Sequence, residues 1–274
     1  MNETGILVDT KKTIMDDKAI VNDLSNHSFK SHIFKRLTAK QKKFQNVDFS
    51  YATFDACYLR DCAFDSCNFT GCRFLGTNLR GSTFEGCKFD YTVFEKTYVD
   101  SHILESSCPG FENLKREFAR TLRMNYQQLG DATSVNKAIS IELEATELHL
   151  KKAWESKESY YRKKYKGLRR AGVFFEWLNF KCFDVIWGNG ESLGKLTRAV
   201  LVFLILLVFV DVFLYKEPLL IMSYWTAFHE IPAIFMGVFS PKYYPKWYLS
   251  IIVFLRLIFF AFFMSITIKR SNRR

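Results

Sequence analysis

The chain has 274 residues, 49% of them hydrophobic, and a formal net charge of +11. That apolar content excludes a disordered protein, and the length allows one large or two medium domains. Seven Cys suggest disulfides or zinc, but residues 1–26 are polar without a secretory apolar run, and Cys57, Cys62, Cys67, Cys72, Cys87, Cys108 and Cys182 never make CxxC spacing.

Residues 1–43 are expected to form an N-terminal cap or flexible segment. From Phe44 a large apolar residue recurs at every fifth position: Phe49, Phe54, Leu59, Phe64, Phe69, Phe74, Leu79, Phe84, Phe89 and Phe94, then Val99 and Leu104. Two places before each centre from Phe49 to Val99 stands a small residue, such as Ala52, Cys57, Cys62, Cys67, Cys72, Thr77 or Ser82. Neither a helix nor a flat strand keeps a period of five on one face. A coil that turns a corner every five residues does. Four large side chains then fill each coil, and the cysteines are reduced fillers in the small column. Gly71, Gly76, Gly81 and Gly86 recur at one corner position, where a tight turn needs backbone freedom.

The units CNFTG, CRFLG, TNLRG and CKFDY resemble the pentapeptide-repeat family, whose usual unit is A(D/N)LXX. The resemblance covers 44–104, with a possible start at Phe29 and Phe34. It implies a right-handed quadrilateral β-helix of about three coils, whose open ends need caps. Residues 1–43 and the helices after Pro109 are the candidates. Some soluble members resemble a DNA duplex and bind topoisomerases. Residues 44–104 carry five Lys/Arg against eight Asp/Glu, too weak an acidic balance for that mimicry; the basic run 157–170 suits lipid better than nucleic acid, so no nucleic-acid partner is expected either.

A helical connector is expected over 105–172. Phe111, Leu114, Phe118, Leu122 and Met124 fall near helical spacing, Gly130-Asp131 marks a turn, and a second apolar run follows from Val135. Residues 157–170 hold seven Lys/Arg and one Glu, a run suited to anionic lipid near a membrane or to a solvated helix face. Over 173–195, aromatic residues interrupted by charge suit an amphipathic helix in the membrane interface, or a buried helix, followed by a turn. Lys115-Arg116, Leu129-Gly130-Asp131 and Trp187-Gly-Asn-Gly-Glu191 resemble the connector of membrane-bound pentapeptide-repeat proteins, which often read GYGE where this chain reads GNGE.

Residues 196–274 read as two transmembrane helices joined by a re-entrant loop. Leu196–Tyr215 and Trp247–Ile268 are long enough to span a hydrocarbon core of ~30 Å. Lys and Arg concentrate before the first and after the second, which places both termini in the cytoplasm of a bacterium and the spans in its inner membrane. The joining segment is mostly apolar, with Pro232 expected to break it near the middle. Span, re-entrant helix and span resemble the two-helix pore module of tetrameric ion channels. That implies a homo-oligomer, a tetramer by analogy. The TxGYG filter is absent, which puts potassium selectivity in doubt. Ser223, Thr226, His229, Glu230, Gly237 and Ser240 are the candidate pore or re-entrant lining. Asp211 and Arg256 are intramembrane charges that antiparallel helices could pair.

The five His make no HxxxH or HExxH spacing, and no phosphate loop or G-x-S-x-G occurs. No enzyme activity, cofactor or metal is expected. The fold class is mixed α and β: repeat β-helix, helical connector and two-span hairpin. The expected partners are membrane lipid, further copies of the chain and a cytoplasmic protein docked on the repeats. Three readings follow: an ion-channel-like or pore-forming protein, a toxic membrane-depolarising effector of phage defence, and a non-conducting membrane-tethered scaffold.

Overall fold

A large apolar group at every fifth residue stays on one side of the backbone only if the chain bends at each repeat. The bend is visible in the backbone: the residue two places after the centre takes a left-handed conformation at corner after corner, as at Tyr51 (φ 59°) and Gly71 (φ 69°). The computed structural model describes residues 12–239, 241 and 244–271. They form two compact units, divided between Tyr165 and Lys166.

The first unit opens with eleven short strands: β1 (Ile14–Asp16), β2 (Leu24–Ser25), β3 (Ile33–Lys35), β4 (Thr38–Lys40), β5 (Lys43–Gln45), β6 (Thr53–Asp55), β7 (Tyr58–Arg60), β8 (Ala63–Asp65), β9 (Arg73–Leu75), β10 (Thr83–Glu85) and β11 (Val93–Glu95). They pair in parallel between successive coils. One face runs β1-β3-β6-β9-β11, a second β2-β5-β8-β10 and a third β4-β7. Isolated bridges Ser28–Asp48, Asp48–Asn68 and Asn68–Lys88 form the fourth. The result is a four-sided β-solenoid of about four turns.

Each face stacks one column of centres. Phe34, Phe54, Phe74 and Phe94 lie 4.9, 4.9 and 5.1 Å apart, centroid to centroid. Phe44, Phe64 and Phe84 stack at 4.7 and 5.1 Å, and Phe49, Phe69 and Phe89 at 5.3 and 5.0 Å. The remaining column is aliphatic: Ala39, Leu59, Leu79 and Val99, all buried. Near-parallel stacking at these spacings adds ring–ring contact to the gain from burial.

The small column does more than leave room. From Cys57 to Thr92 its members donate to the backbone carbonyl of a centre residue in the preceding coil. Cys57 Sγ donates to Phe34 O at 3.4 Å, Cys67 Sγ to Phe44 O at 3.4 Å and Cys72 Sγ to Phe49 O at 2.8 Å. Thr77, Ser82 and Thr92 hydroxyls repeat the bond to Phe54, Leu59 and Phe69 at 3.0, 2.7 and 2.8 Å. Cys, Ser and Thr are thus equivalent here as small inward donors. All seven Cys are free thiols. Burial pushes Cys57 up to about 11 and Cys72 up to about 12. At pH 8 the native chain is therefore expected to react with iodoacetamide at exposed Cys182 well before Cys57 or Cys72, which peptide mapping will show. Because these folded-state values are raised, their stabilising contribution is complete below the ordinary thiol range. It is lost as pH climbs towards 11–12.

The solenoid begins well before residue 44, so a separate cap or flexible segment over the whole of 1–43 is not what the described residues form. The reason is a slip of phase. Met15 pairs with Phe34 at an offset of nineteen, whereas Leu24 pairs with Phe44 at twenty. One residue is missing at the corner between Ile20 and Leu24. That corner lacks a left-handed residue, while Asp17, Asn26 and Ser31 supply one at its neighbours.

The far end is closed by helices: α1 (Ile103–Ser106), α2 (Glu112–Leu129), α3 (Ala132–Glu155) and α4 (Ser159–Lys164). Phe118 of α2 rests on Phe89 and Phe94 at 5.5 and 6.2 Å. The last coil also has backbone groups with no further coil to pair with. One face of α2 meets them. Thr121 Oγ1 accepts from Phe94 N at 3.0 Å, and Gln128 Oε1 from Lys96 N at 3.0 Å. Asn125, fully buried, accepts from Thr97 N and donates to Thr97 O, both at 2.7 Å. Phe111 lies outside this face and is exposed. Gly130 in the left-handed conformation ends α2, and Asp131 caps α3 by accepting from Ser134 N at 3.1 Å. Glu142 of α3 then binds Arg120 and Arg123 of α2 at 3.0 and 2.7 Å.

The second unit comprises α5 (Leu168–Trp187), α6 (Leu193–Tyr215), α7 (Ile221–Met236) and α8 (Lys246–Ser271). The Ser192 hydroxyl caps α6 by accepting from Lys195 N. Within α5 only Val173 is buried, and Phe175 and Val185 are exposed. A buried helix at this position is therefore not observed. α6 and α8 are long and apolar enough to cross a membrane, ~34 and ~39 Å at helical rise. Only 22% and 11% of their apolar windows are buried, far below what the core helix of a soluble protein shows.

Candidate functional site

The third apolar helix, α7, lies against both α6 and α8. Ala227, Ile231, Ile234 and Phe235 of α7 are buried with Leu207, Val208 and Val212 of α6 and with Tyr248 and Ile252 of α8. Pro232 was expected to break this segment. Instead α7 runs unbroken through it. Proline removes one N–H and strains one turn, and the burial of Ile231 and Ile234 on either side holds the helix together.

At the C-terminal end of α6 this packing builds a charged cluster. Lys216 Nζ lies 2.7 Å from Glu230 and 3.4 Å from Asp211, and donates to Thr226 Oγ1 at 3.3 Å. Thr226 and Glu230 are four residues apart, so one face of α7 presents both. Asp211 is fully buried and also accepts from the Tyr244 hydroxyl. A carboxylate this deep is retained only with charged and hydrogen-bonded partners. Tyr215, Tyr244 and Tyr248 pack around it, with centroids 5.0 to 5.5 Å apart.

The sequence-derived candidates divide. Thr226, Glu230 and Asp211 meet at Lys216. His229 is exposed and packs edge-on against Trp225 at 4.7 Å. Ser223 lies in the first turn of α7, where its N donates to Leu220 O. Gly237 ends α7 in the left-handed conformation (φ 76°). Ser240 lies outside the described residues. Asp211 and Arg256 do not pair. Arg256 Nη1 donates instead to Phe235 O at 3.4 Å, at the C-terminal end of α7. Its guanidinium fills the space beside Gly237, where an added Cβ would collide with Nη1. Among the described residues no group of three or more His, Cys, Asp or Glu is arranged to hold a metal.

The profile of the pentapeptide repeat region matches residues 38–107. This segment is a pentapeptide-repeat region. Solved structures with similar coordinates include QnrB1, a plasmid-mediated fluoroquinolone resistance protein, at 13% identity and a TM-score of 0.19 over 33% of this chain and 64% of that one. A pentapeptide repeat protein (Rfr23) of the cyanobacterium Cyanothece 51142 follows at 12% identity and 0.15, over 31% and 77%. Another, from the thylakoid lumen of Arabidopsis thaliana, has 17% identity and 0.18, over 35% and 86%. The chain thus spans just under two thirds of QnrB1. None of the curated proteins matches the chain.

The pentapeptide-repeat region was legible in its period, but Lys216 and Tyr244 were not legible as site residues. Lys216 reads as one of three loop lysines. Its position directly after an apolar run containing a single Asp was the available signal.

Proposed function

We propose that the chain is a homo-oligomeric, pore-forming protein of the bacterial inner membrane. In this reading α6 and α8 cross the bilayer, both termini are cytoplasmic, and identical copies surround a path that two spans cannot enclose alone. The supporting observation is α7. An anchor of two spans needs no third apolar helix, yet α7 is packed against both and tied to α6 through Lys216. The apolar outer surfaces of α6 and α8 contact lipid or neighbouring copies, and α5, with Phe175 and Val185 exposed, rests in the interface. The protein is not an enzyme and needs no cofactor. The pentapeptide-repeat region serves as a docking platform for a cytoplasmic protein, with exposed Tyr51 and Tyr91 on its surface.

Purified protein in liposomes is expected to release a trapped salt gradient. Gly237→Val, which places a branched side chain against Arg256 at a left-handed position, is expected to abolish that flux while the protein stays in the membrane. Wild-type protein that inserts and oligomerises without flux would instead favour the scaffold.

A further inference from the structure

Arg256 is unaccounted for by packing. It stands ten residues into α8, ~15 Å from its start at helical rise, near the middle of a hydrocarbon layer of ~30 Å. A guanidinium carries several N–H donors. Among the described residues one of these is satisfied, by Phe235 O at 3.4 Å. The side chain is half-buried and lines a cavity of about 450 Å³ with Thr197, Val200, Phe235, Phe259 and Phe263. A charge at this depth is not left facing acyl chains; it faces water, protein or a counter-ion. The single hydrogen bond to Phe235 O leaves the other donors for water or a counter-ion, so in the pore reading this face of α6 and α8 turns towards a wet space between copies.

We infer that Arg256 sets the permeant class of that space, and that the class is small monovalent inorganic anions. The inference rests on the pore reading above. The carboxylates of α6 and α7 are paired, Asp211 with Lys216 and Tyr244, and Glu230 with Lys216, while His229 of α7 packs on Trp225 and does not line this cavity. They lie near the end of α6, with Asp211 ~6 Å from its last residue. At mid-depth the C-terminal carbonyls of α7 contribute roughly half a negative charge. One guanidinium overcompensates it and leaves the wall positive. Rings of Arg or Lys are how pores admit anions. Apart from Thr197, whose hydroxyl donates to Leu193 O, the rest of the wall is apolar, with no carboxylate to replace a cation's water. Aromatic edges carry positive potential, which also favours an anion. Such a wall replaces little hydration, so iodide and nitrate pass more readily than chloride.

The test is a reversal-potential measurement on the full chain in lipid bilayers under a potassium chloride gradient. Wild type is expected to favour chloride over potassium by about fivefold or more, Arg256→Gln to fall to about unity, and Arg256→Lys to retain the preference. Size-exclusion chromatography confirms that the variants keep the wild-type assembly. Potassium preference in wild type, or an unchanged ratio in a correctly assembled Arg256→Gln, overturns the inference and leaves the pore standing. No conductance from wild type or either variant overturns both.

Discussion

Phe69→Ala is expected to destabilise the solenoid by about 3–5 kcal/mol. Phe69 is 1% exposed and stacks between Phe49 and Phe89 at 5.3 and 5.0 Å. It also meets Phe64 edge-on at 5.4 Å. The loss combines the transfer term with a cavity. The cavity cannot collapse, because the coils above and below are held at a fixed spacing by the ladder bonds that flank the residue. Phe49 N donates to Asn68 O at 2.9 Å, and Phe69 N to Lys88 O at 2.8 Å. A solenoid is quasi-one-dimensional, so the damage falls mainly on neighbouring coils. Denaturation of the detergent-solubilised chain, with hydrogen exchange at the ladder amides, will read both the size and the position of the loss. Phe69→Leu, which keeps most of the volume, is expected to cost less than half as much.

Asn125→Leu is expected to cost about 2–5 kcal/mol, although it enlarges apolar contact. Its amide satisfies both backbone groups of Thr97 at 2.7 Å in a fully buried position. Leucine would leave a donor and an acceptor unpaired beneath α2. The size of each penalty follows from desolvation without a partner, roughly 1–3 kcal/mol per group. Hydrogen exchange should show the Thr97 amide losing protection first. Asn125→Gln tests whether the amide alone suffices; its extra methylene has no room, and only partial rescue is expected.

These two residues also show what the sequence displays and what it conceals. Phe69 belongs to a strict period, and its burial, its ring of four and its stack could be read from the spacing alone. Asn125 belongs to a helix whose apolar face, Leu114, Phe118 and Leu122, was visible as a cap. The polar stripe Thr121, Asn125 and Gln128 that closes the ladder looks like an ordinary solvated face. Its partners are backbone groups, which leave no mark in composition. The start of the solenoid was missed for a similar reason. A single-residue deletion before Leu24 shifts Met15 and Ile20 out of phase, and the centre at 39 is Ala rather than Phe. In the second unit, length and apolarity defined α6 and α8, and Asp211 and Arg256 stood out as charges within them. Their partners did not, because pairing across helices depends on rotation about each axis. That rotation brought Glu230 of α7 to Lys216, which meets Asp211 from the C-cap of the same helix, and left Arg256 at the end of α7.

The oligomeric state of the purified chain in lipid nanodiscs tests the central claim most directly. Imaging is expected to show a closed ring of identical copies, with α7 and Arg256 facing a common axis. A monomer, or an assembly in which α7 faces lipid and no axial space exists, would contradict it.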